Sequence, residues 1–322
     1  MTQEIKLTAT IIESQLGYRL DQSLAQLFPD YSRSCIKKWI LDERVQINGK
    51  IIKKPKEKVL GGQKIIINAL IEEKTWKPQN IPLNIIYEDN DIVVIYKPHN
   101  LVVHPGAGHK NDTMLNALLY HYPYSVHLPR AGIVHRLDKN TTGLMVVAKN
   151  LIAQTNLIQA LQRCKITREY EAIAMGIMTT GSKTIKDPIA RHPIKRTHMT
   201  VSHLGKPAIT HYRIMEKFRM HTRLCLRLET GRTHQIRVHM AHIGYPLVGD
   251  NIYIGRPRPP KGASKELLYV LNNFDRQALH ATMLRLYHPI SGVHMEWHAP
   301  LPRDMIELIN VLRTDINYIK NI

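Results

Sequence analysis

The chain has 322 residues, a formal net charge of +19 and a hydrophobic fraction of 43%, so it is long and apolar enough for two globular domains. No apolar run approaches the ~20 residues that a membrane helix needs, and the first residues lack the charged and apolar regions of a signal peptide. The charge predicts a polyanionic partner such as a nucleic acid, although lysine-rich solvated faces would give the same total.

Residues 17–68 predict a compact N-terminal unit. The segment Leu20–Leu27 has apolar residues at helical spacing, and Ser32 is placed to cap a second helix that reaches Leu41. Residues 44–50 then alternate in polarity and contain Asn-Gly, which indicates a hairpin, and a strand is predicted at Lys64–Asn68. The pattern predicts a small α+β domain over residues 1–72.

Residues 73–84 predict a linker, because this stretch includes two prolines and has no periodicity. Beyond it, apolar or alternating runs predict strands at Asp91–Lys97, Leu144–Lys149 and Thr222–Glu229. Helices are predicted at Thr113–Tyr120, Leu151–Cys164 and Asp304–Arg313. Strands and helices without regular alternation favour an α+β fold for residues 85–322 over a doubly wound sheet.

Residues 134–150 are the most informative segment of the chain. Asp138 follows Arg136 by two residues, a polar turn runs from Lys139 to Gly143, and an apolar run begins at Leu144. The pattern predicts a loop that leads into a buried strand, and reactive side chains are often held on such loops. An isolated Asp in a turn is more commonly a cap, so the pattern alone assigns no chemistry to Asp138.

The whole segment closely resembles the catalytic-aspartate motif of the RluA family of RNA pseudouridine synthases. Other blocks of the family follow in its order, at Tyr87–Gly106, Thr167–Ala172 and Leu228–His239. The similarity continues through Arg191–Pro193, Arg256–Gly262 and Trp297–Pro300, which point to the D branch of the family. Residues 17–68 in turn resemble the S4 RNA-binding domain. The resemblance implies a mixed, largely antiparallel sheet with a central cleft, preceded by a small S4-like domain.

The resemblance also implies roles for individual catalytic residues. Asp138 would be the catalytic carboxylate, acting at C1′ or C6 of the uridine or as a base in a glycal route. Arg237 would be the cation that keeps Asp138 charged and oriented. Tyr170 would stack on the target base and would be placed to help remove the C5 proton. Arg136 would enter the RNA stack that the flipped uridine leaves.

Further residues are expected to bind RNA. His135 and Arg232 are candidate substrate-binding residues, and Arg232 is the better candidate for a phosphate contact. On the S4-like domain, the basic face is expected to include Arg33, Lys37, Lys38 and Lys50. Ordinary surface lysines on a small α+β domain are the alternative interpretation.

The sequence predicts no cofactor and no metal site. Isomerisation of uridine needs no net redox change, and His234, His239 and His242 lack the spacing of a zincin. The three cysteines, Cys35, Cys164 and Cys225, are far apart and odd in number, so they predict neither a disulfide framework nor a zinc ligand set. They are consistent with a reducing cytoplasm.

The preferred function is isomerisation of uridines to pseudouridine in 23S ribosomal RNA, free or in a precursor of the large ribosomal subunit. The D branch implies the stem-loop of helix 69 as the target, acted on by a monomer that does not contact membranes. A relative of the C branch, which modifies other 23S uridines, is one alternative. A non-catalytic factor for ribosome assembly is another, but it should lack Asp138, Tyr170 or Arg237, and all three are present.

Overall fold

The computed structural model describes residues 2–29, 31, 33–72, 76–106, 108–254, 260 and 262–318. The chain separates into two compact units, residues 1–75 and residues 76–322. No helix among these described ranges is long and apolar enough to cross a bilayer. The predicted helix cap Ser32 and most of Arg256–Gly262 lie outside the described residues.

The smaller unit is a four-stranded antiparallel sheet covered by two helices. Its elements are β1 (Thr2–Thr10), α1 (Leu20–Leu27), α2 (Arg33–Leu41), β2 (Val45–Ile47), β3 (Lys50–Ile51) and β4 (Lys64–Glu72). The strand order is β1-β4-β2-β3. Asn48 and Gly49 both have positive φ, as the tight turn of the predicted hairpin requires. The sequence interpretation missed β1, and β4 is longer than the predicted strand.

One buried cluster holds this unit together. It contains Leu20 and Leu24 of α1, Ile36 and Ile40 of α2, and Ile67 of β4, all fully buried. The helical spacing of the apolar residues therefore reflects a real core-facing stripe on each helix.

The larger unit contains a nine-stranded mixed sheet and a separate hairpin. Its strands are β5 (Asn84–Glu88), β6 (Ile92–Lys97), β7 (Thr142–Ala148), β8 (Thr167–Met175), β9 (Ser182–Ile185), β10 (Ile189–Arg191), β11 (Met199–Val201), β12 (Thr210–Lys217), β13 (His221–Leu228), β14 (Leu279–Tyr287) and β15 (His294–His298). Its helices are α3 (Met114–His121), α4 (Leu151–Gln162), α5 (Gln235–His242), α6 (Lys265–Asn273) and α7 (Arg303–Tyr318).

The large sheet has the order β5-β6-β7-β14-β8-β13-β12-β9, with β15 paired to β14 at one end of that strand. Among the described pairings, only β7 with β14 is parallel. The expected α+β class and the mixed, largely antiparallel sheet are therefore confirmed. The 3₁₀ turns Pro123–His127 and Pro129–Gly132 lead into the loop before β7.

Both faces of the central strands are buried. On β7, Met145 and Val147 join the cluster that includes α3 and α5, whereas Leu144 and Val146 join the cluster that includes α4. This two-sided burial explains why β7 is a continuous apolar run rather than an alternating one. On β8, Tyr170 and Ala172 face the α5 side, whereas Ile173 packs with α6 and α7 on the other.

Candidate active site

The loop that carries Asp138 is fixed by neighbours on both sides. The Thr141 amide donates to the Asp138 carbonyl at 3.1 Å, which closes a turn. Arg276 donates to the Asn140 carbonyl at 3.3 Å, and Gln277 donates to the Thr141 hydroxyl at 2.9 Å. The loop is therefore held by side chains that immediately precede β14, the strand beside β7.

Gly143 allows this arrangement of β7 and β14. Its φ is +115°, and a Cβ at this position would lie 2.2 Å from the carbonyl oxygen of Ala281. A larger residue would push the two strands apart at the point where β7 leaves the Asp138 loop. The glycine at the end of the sequence motif is thus required by the close approach of the two backbones.

Lys97 is a fully buried cation beneath the same loop. Its ammonium donates to the carbonyls of Pro98, Leu101 and Lys139 at 2.7, 2.9 and 2.9 Å, so all three N–H groups are used. Burial lowers the pKa of Lys97 to about 7, and the charge of Asp138 works in the opposite direction. Lys97 thus ties the end of β6 to the loop that carries Asp138.

Asp138 is paired with Arg237, as the resemblance implied. The Nη1 of Arg237 donates to Oδ2 of Asp138 at 3.0 Å across 99 residues of sequence. The other carboxylate oxygen, Oδ1, accepts no hydrogen bond within the described ranges, and Nε2 of His234 lies 4.0 Å away from it. One oxygen is therefore anchored and the other is open to a further contact.

Arg237 is itself held by Asp250, which the sequence interpretation missed. Nε and Nη2 of Arg237 donate to the two oxygens of Asp250 at 2.7 and 2.8 Å, and the Asp250 side chain has no exposed surface. Burial opposes the charged form of Arg237, but the hydrogen bonds and charges of Asp250 and Asp138 outweigh it and raise its pKa. A permanently charged guanidinium, held in a bidentate contact by Asp250, therefore faces Asp138 with Nη1.

His234 and Tyr253 form a second contact with this cluster. His234 precedes α5 with a left-handed φ of 56°, and its Nδ1 lies 2.8 Å from the hydroxyl of Tyr253. That hydroxyl accepts from the Met199 amide at 2.9 Å, so its own proton is free to be donated to Nδ1. This assignment leaves the hydrogen on Nε2, toward Asp138. Burial lowers the pKa of His234, which favours the neutral ring.

Tyr170 lies on β8 and is almost fully buried. Together with Asp138, Arg136 and Arg168 it lines a cavity of about 440 Å³. Burial raises the pKa of Tyr170, and the nearby charge of Arg168 works against this shift. The phenol is therefore neutral near pH 7, a state that suits stacking and is poorly suited to removing a proton.

A second cavity of about 460 Å³ is also lined by Asp138. It shares Arg136, Asp138 and His104 with the first cavity. Arg136 is exposed and lines both cavities. The carboxylate consequently borders both cavities.

The remaining two candidate substrate residues have different surroundings. His135 lines the first cavity, but its Nε2 accepts from the Val146 amide at 3.1 Å. Burial lowers its pKa to about 3, so the ring is neutral, and its contact with Val146 helps to fix β7. Arg232 donates from Nε to the Pro207 carbonyl at 3.0 Å, and it lines both the first cavity and a smaller one shared with Tyr170 and Asp138.

The four basic residues predicted on the smaller unit are all exposed. Lys37 and Lys38 lie on α2, Lys50 begins β3, and Arg33 donates to the buried Asp21 at 2.9 and 3.0 Å. Burial raises the pKa of Asp21, but the hydrogen bonds and charges of Arg19 and Arg33 outweigh it and lower the pKa. Arg33 therefore has a structural contact in addition to its expected role.

The contacts of His239 leave it without a free ring nitrogen for a metal ion. Both ring nitrogens of His239 are engaged, with the Thr210 hydroxyl and the Asp187 carbonyl at 2.8 Å. Among the described residues, one cluster has metal-like spacing: Asp89, Asp91 and His288. There, Nδ1 of His288 accepts from the Ser291 amide at 3.0 Å, so Nε2 carries the hydrogen toward Asp89 and is not a free ligand.

Residues 91–242 match the family model for RNA pseudouridylate synthase, and residues 19–65 match that for the S4 domain. The chain is 69% identical over 316 residues to the ribosomal large subunit pseudouridine synthase D of Escherichia coli, covering 98% of this chain and 97% of that protein. It is 67% identical over 322 residues to the protein of the same name from Yersinia pestis, covering 100% and 99%.

Solved structures give a consistent comparison. Human RNA Pseudouridylate Synthase Domain Containing 4 superposes with a TM-score of 0.57 at 25% identity, covering 71% of this chain and 93% of that one. Human RNA Pseudouridylate Synthase Domain Containing 1 shares the fold, with a TM-score of 0.53 at 24% identity over 73% and 96% of the two chains. The chain is 67–69% identical to curated pseudouridine synthases over nearly their full length. It therefore belongs to the RNA pseudouridylate synthase family and is an RNA pseudouridine synthase with an S4 domain.

Proposed function

We propose that this enzyme isomerises uridines in 23S ribosomal RNA of the large ribosomal subunit or its precursor, and that its target is the stem-loop of helix 69. The names of its 66–69% identical relatives support the ribosomal large subunit as the substrate. The observation that carries the proposal is the Asp138 carboxylate, anchored through Oδ2 by Arg237 and free at Oδ1, at the junction of two cavities.

In the proposed reaction the target uridine flips out of its stack and lies against Asp138. Flipping costs a few kcal/mol, and Arg136 offsets part of that by stacking in the vacated position. The free Oδ1 attacks C1′ or C6, or removes a proton in a glycal route, and these routes remain alternatives. The C1′–N1 bond breaks, the uracil turns, and C5 joins C1′ with release of the carboxylate from any bond it had formed. The proton on C5 is then lost to solvent, and N1 gains a proton. Arg237 stabilises the carboxylate before the reaction and again when it is released.

We propose that Tyr170 stacks on the uracil ring. Its raised pKa keeps the hydroxyl protonated at neutral pH, which supports stacking over direct removal of the C5 proton. His135 and Arg232 complete the substrate-binding set. His135 shapes the cavity as a neutral ring, and Arg232 contacts a backbone phosphate.

The two-domain division is part of the proposal. Residues 1–72 would bind RNA through Arg33, Lys37, Lys38 and Lys50, and residues 85–322 would catalyse. Each phosphate contact released should reduce the slope of log K against log salt by roughly 0.7–0.9. In the predicted linker, residues 73–84, residues 73–75 lie outside the described ranges. The Lys77 carbonyl accepts a hydrogen bond from the Asn116 side chain at 2.8 Å. Residue 77 is therefore attached to α3 of the larger unit.

The decisive experiment maps pseudouridine in 23S rRNA from cells with and without this protein, and from cells with Asp138→Asn. Loss of helix 69 pseudouridines in both mutant strains is expected. Loss at other 23S sites would indicate the C-branch alternative. Unchanged modification together with defective subunit assembly would indicate a non-catalytic factor.

We also propose that the enzyme needs no cofactor, acts as a monomer and works in the cytoplasm. The purified protein should isomerise a prefolded stem-loop in monovalent salt with EDTA and without added nucleotide. Tritium release from C5-labelled uridine measures turnover. Dependence on added zinc would contradict this part of the proposal.

A further inference from the structure

Arg168 is a buried arginine in the wall of the cavity that contains Asp138. It is 7% exposed and lies on β8 two residues before Tyr170, so both side chains project from the same face of the strand. Arg168, Tyr170 and Asp138 line the same cavity of about 440 Å³. The cation is therefore placed beside the proposed position of the target base.

Arg168 differs from the other buried arginines in having no carboxylate partner. Arg237 pairs with Asp250 at 2.7 Å, and Arg276 pairs with Asp304 at 2.6 Å. Within the part of the chain that the structure describes, Arg168 has no ion pair. Buried charges are normally paired, because taking an unpaired ion out of water is costly. An unpaired buried cation in a cavity wall is thus expected where a ligand supplies the missing partner.

The carboxylates nearest to Arg168 in sequence lie on the other face of β8. Glu169 accepts from the Cys225 thiol at 3.8 Å, and Glu171 pairs with Arg223 at 2.7 Å. Successive side chains of a strand alternate between its faces, so neither acid lies on the side that carries Arg168. The lack of a carboxylate partner is therefore built into the strand.

Most of the hydrogen-bond donors of Arg168 are unused. A guanidinium has five N–H groups. Among the described residues, Nη2 makes one hydrogen bond, to the Glu229 carbonyl at 3.3 Å, and Nε is buried without a partner. A Cβ on Gly231 would lie 3.0 Å from Nη1, so the same turn also packs against the guanidinium. The cation is held in place with donors left for a ligand.

The charge of Arg168 acts at the position where the base is proposed to stack. It lowers the pKa of Tyr170 against the larger effect of burial, and it contributes to the low pKa of His135. Arg136 is exposed and can meet RNA at the surface, whereas Arg168 is accessible only to a group that enters the cavity. In the proposed reaction that group is the flipped uracil.

The isomerisation places negative charge on the uracil ring by every route. When the C1′–N1 bond breaks after attack at C1′ or in the glycal route, its electron pair stays on the uracil and spreads over N1, O2 and O4. When the carboxylate adds to C6, an electron pair of the C5–C6 double bond moves to C5 and O4. A fixed cation facing the atoms that gain charge lowers the barrier of the reaction.

We infer that Arg168 is a further catalytic residue, which donates to a carbonyl oxygen of the flipped uracil and stabilises the negative charge that develops there. This inference rests on the proposed placement of the uridine beside Asp138 and Tyr170. The guanidinium forms no covalent bond and transfers no proton. Its contact strengthens as the ring gains charge and weakens again when C5 joins C1′.

Two arginine variants test this inference. Arg168→Met removes the unpaired charge and keeps much of the side-chain length, and Arg168→Lys keeps the charge. Arg223→Met is the matched control, because Arg223 is a mostly buried arginine on the adjacent strand β13 that already has a carboxylate partner, Glu171. In urea, Arg168→Met should unfold at the same denaturant concentration as the wild type or a higher one, whereas Arg223→Met should unfold at a lower one.

Single-turnover rates and RNA affinity are then measured with the helix 69 stem-loop. At saturating RNA, Arg168→Met should be slower than the wild type by roughly 10²- to 10³-fold, as expected when one donor to a developing anion is lost. Its RNA affinity should be unchanged, because the contact strengthens only as the reaction proceeds. Arg168→Lys should recover part of the rate, since the charge remains but the planar fork does not. Arg223→Met should react at the rate of the wild type.

Sulfur substitution on the target base distinguishes a direct contact from structural support. In 2-thiouridine and 4-thiouridine one carbonyl oxygen is replaced by sulfur, a weaker hydrogen-bond acceptor. At the oxygen that Arg168 contacts, the ratio of the wild-type rate to the Arg168→Met rate should shrink by roughly tenfold or more, because the wild type has already lost the contact. At the other oxygen the ratio should be unchanged. Chromatography of the nucleosides after nuclease digestion measures the product from all three substrates.

Equal rate ratios on uridine, 2-thiouridine and 4-thiouridine would overturn the inference, since they would assign Arg168 a structural role at the Glu229 turn. A saturating rate equal to that of the wild type, or a loss confined to RNA affinity, would overturn it as well. If Arg168→Met does not fold, the same ratios are measured with Arg168→Lys.

Failure of the proposed function gives different results. If Asp138→Asn remains active on the same RNA, the proposed role of the carboxylate is wrong, and the thiouridine ratios still report whether Arg168 contacts the base. If the wild type isomerises another RNA but not the stem-loop, the proposed substrate is wrong, and the comparison is made on that RNA.

Discussion

Asp250→Asn is the sharpest test of how the active site is built. The substitution keeps the size of the side chain and removes the carboxylate that holds Nε and Nη2 of Arg237 at 2.7 and 2.8 Å. The amide can accept one of these two hydrogen bonds, and its NH2 group then faces the guanidinium. Arg237, which is 4% exposed, is left with Asp138 as its remaining anionic partner.

Two effects of different size follow. Removing one partner of a buried ion pair costs about 3–5 kcal/mol, and the retained acceptor places Asn at the lower end of that range. The released guanidinium is then free to turn toward Asp138 and bind its second oxygen. If Oδ1 must lose one additional charge-assisted hydrogen bond before it reacts, the barrier rises by about 1.5–3 kcal/mol. That increase corresponds to a fall in kcat of roughly 10- to 150-fold.

Urea unfolding measures the stability, and single-turnover tritium release from C5-labelled RNA measures the rate. Asp315→Asn is the matched control, because Asp315 is a buried carboxylate on α7 that pairs with Arg219 at 2.8 Å, away from the Asp138 cluster. The control should lose stability and keep its rate. The reasoning fails if Asp250→Asn folds normally and retains a rate within threefold of wild type, or if both variants lose the same fraction of activity.

Arg237→Lys should retain part of the activity and Arg237→Leu none, because the ammonium keeps the charge that Asp138 needs but not the planar fork; equal tritium release by the two variants would contradict the pairing. Tyr253→Phe should remove the donor to Nδ1 of His234, lower kcat by about 2- to 12-fold as expected for one hydrogen bond, and leave RNA affinity unchanged. In ¹⁵N-histidine spectra the Nδ1 resonance of His234 should shift in that variant because its hydrogen bond is lost, and an unchanged spectrum would refute the assignment. The buried His280 has its pKa lowered by burial to about 4, so between pH 6.5 and 4 the unfolded chain binds a proton that the folded chain does not, and stability falls as the pH falls. Compared with wild type, His280→Asn should show a stability slope smaller by about 1.4 kcal/mol per pH unit in this range, as measured by urea unfolding at several pH values.

Sequence patterns identified the elements whose burial shows in the spacing of their own apolar residues. The apolar spacing of Leu20–Leu27, the Asn-Gly turn and the continuous apolar run of β7 each reflect burial within one segment and its neighbours. The sequence interpretation did not identify β14, although this strand lies at the centre of the large sheet. Its position between β7 and β8 is set by pairing with distant segments, and no property of the strand itself encodes that choice.

The active site also contains some residues that the sequence assigned and others that it did not. The resemblance to a known family placed Asp138 opposite Arg237, and the hydrogen bond across 99 residues agrees with that expectation. Asp250, Lys97 and His234 were not assigned roles in this cluster, because their contacts depend on burial and on the path of other segments. From the sequence, Asp250 after Gly249 is predicted to be an ordinary turn residue. Only the structure shows that it contacts the buried guanidinium of Arg237.

The central position of β14 has a consequence for synthesis of the enzyme. The Asp138 loop is completed by Arg276 and Gln277, and Arg276 is in turn paired with Asp304 at the start of the last helix. During translation, the residues of the S4 unit emerge first, while the Asp138 loop still lacks the neighbours that fix it. A nascent chain can therefore acquire affinity for RNA before it acquires the ability to modify it, and a chain truncated before residue 304 should remain a binder without chemistry.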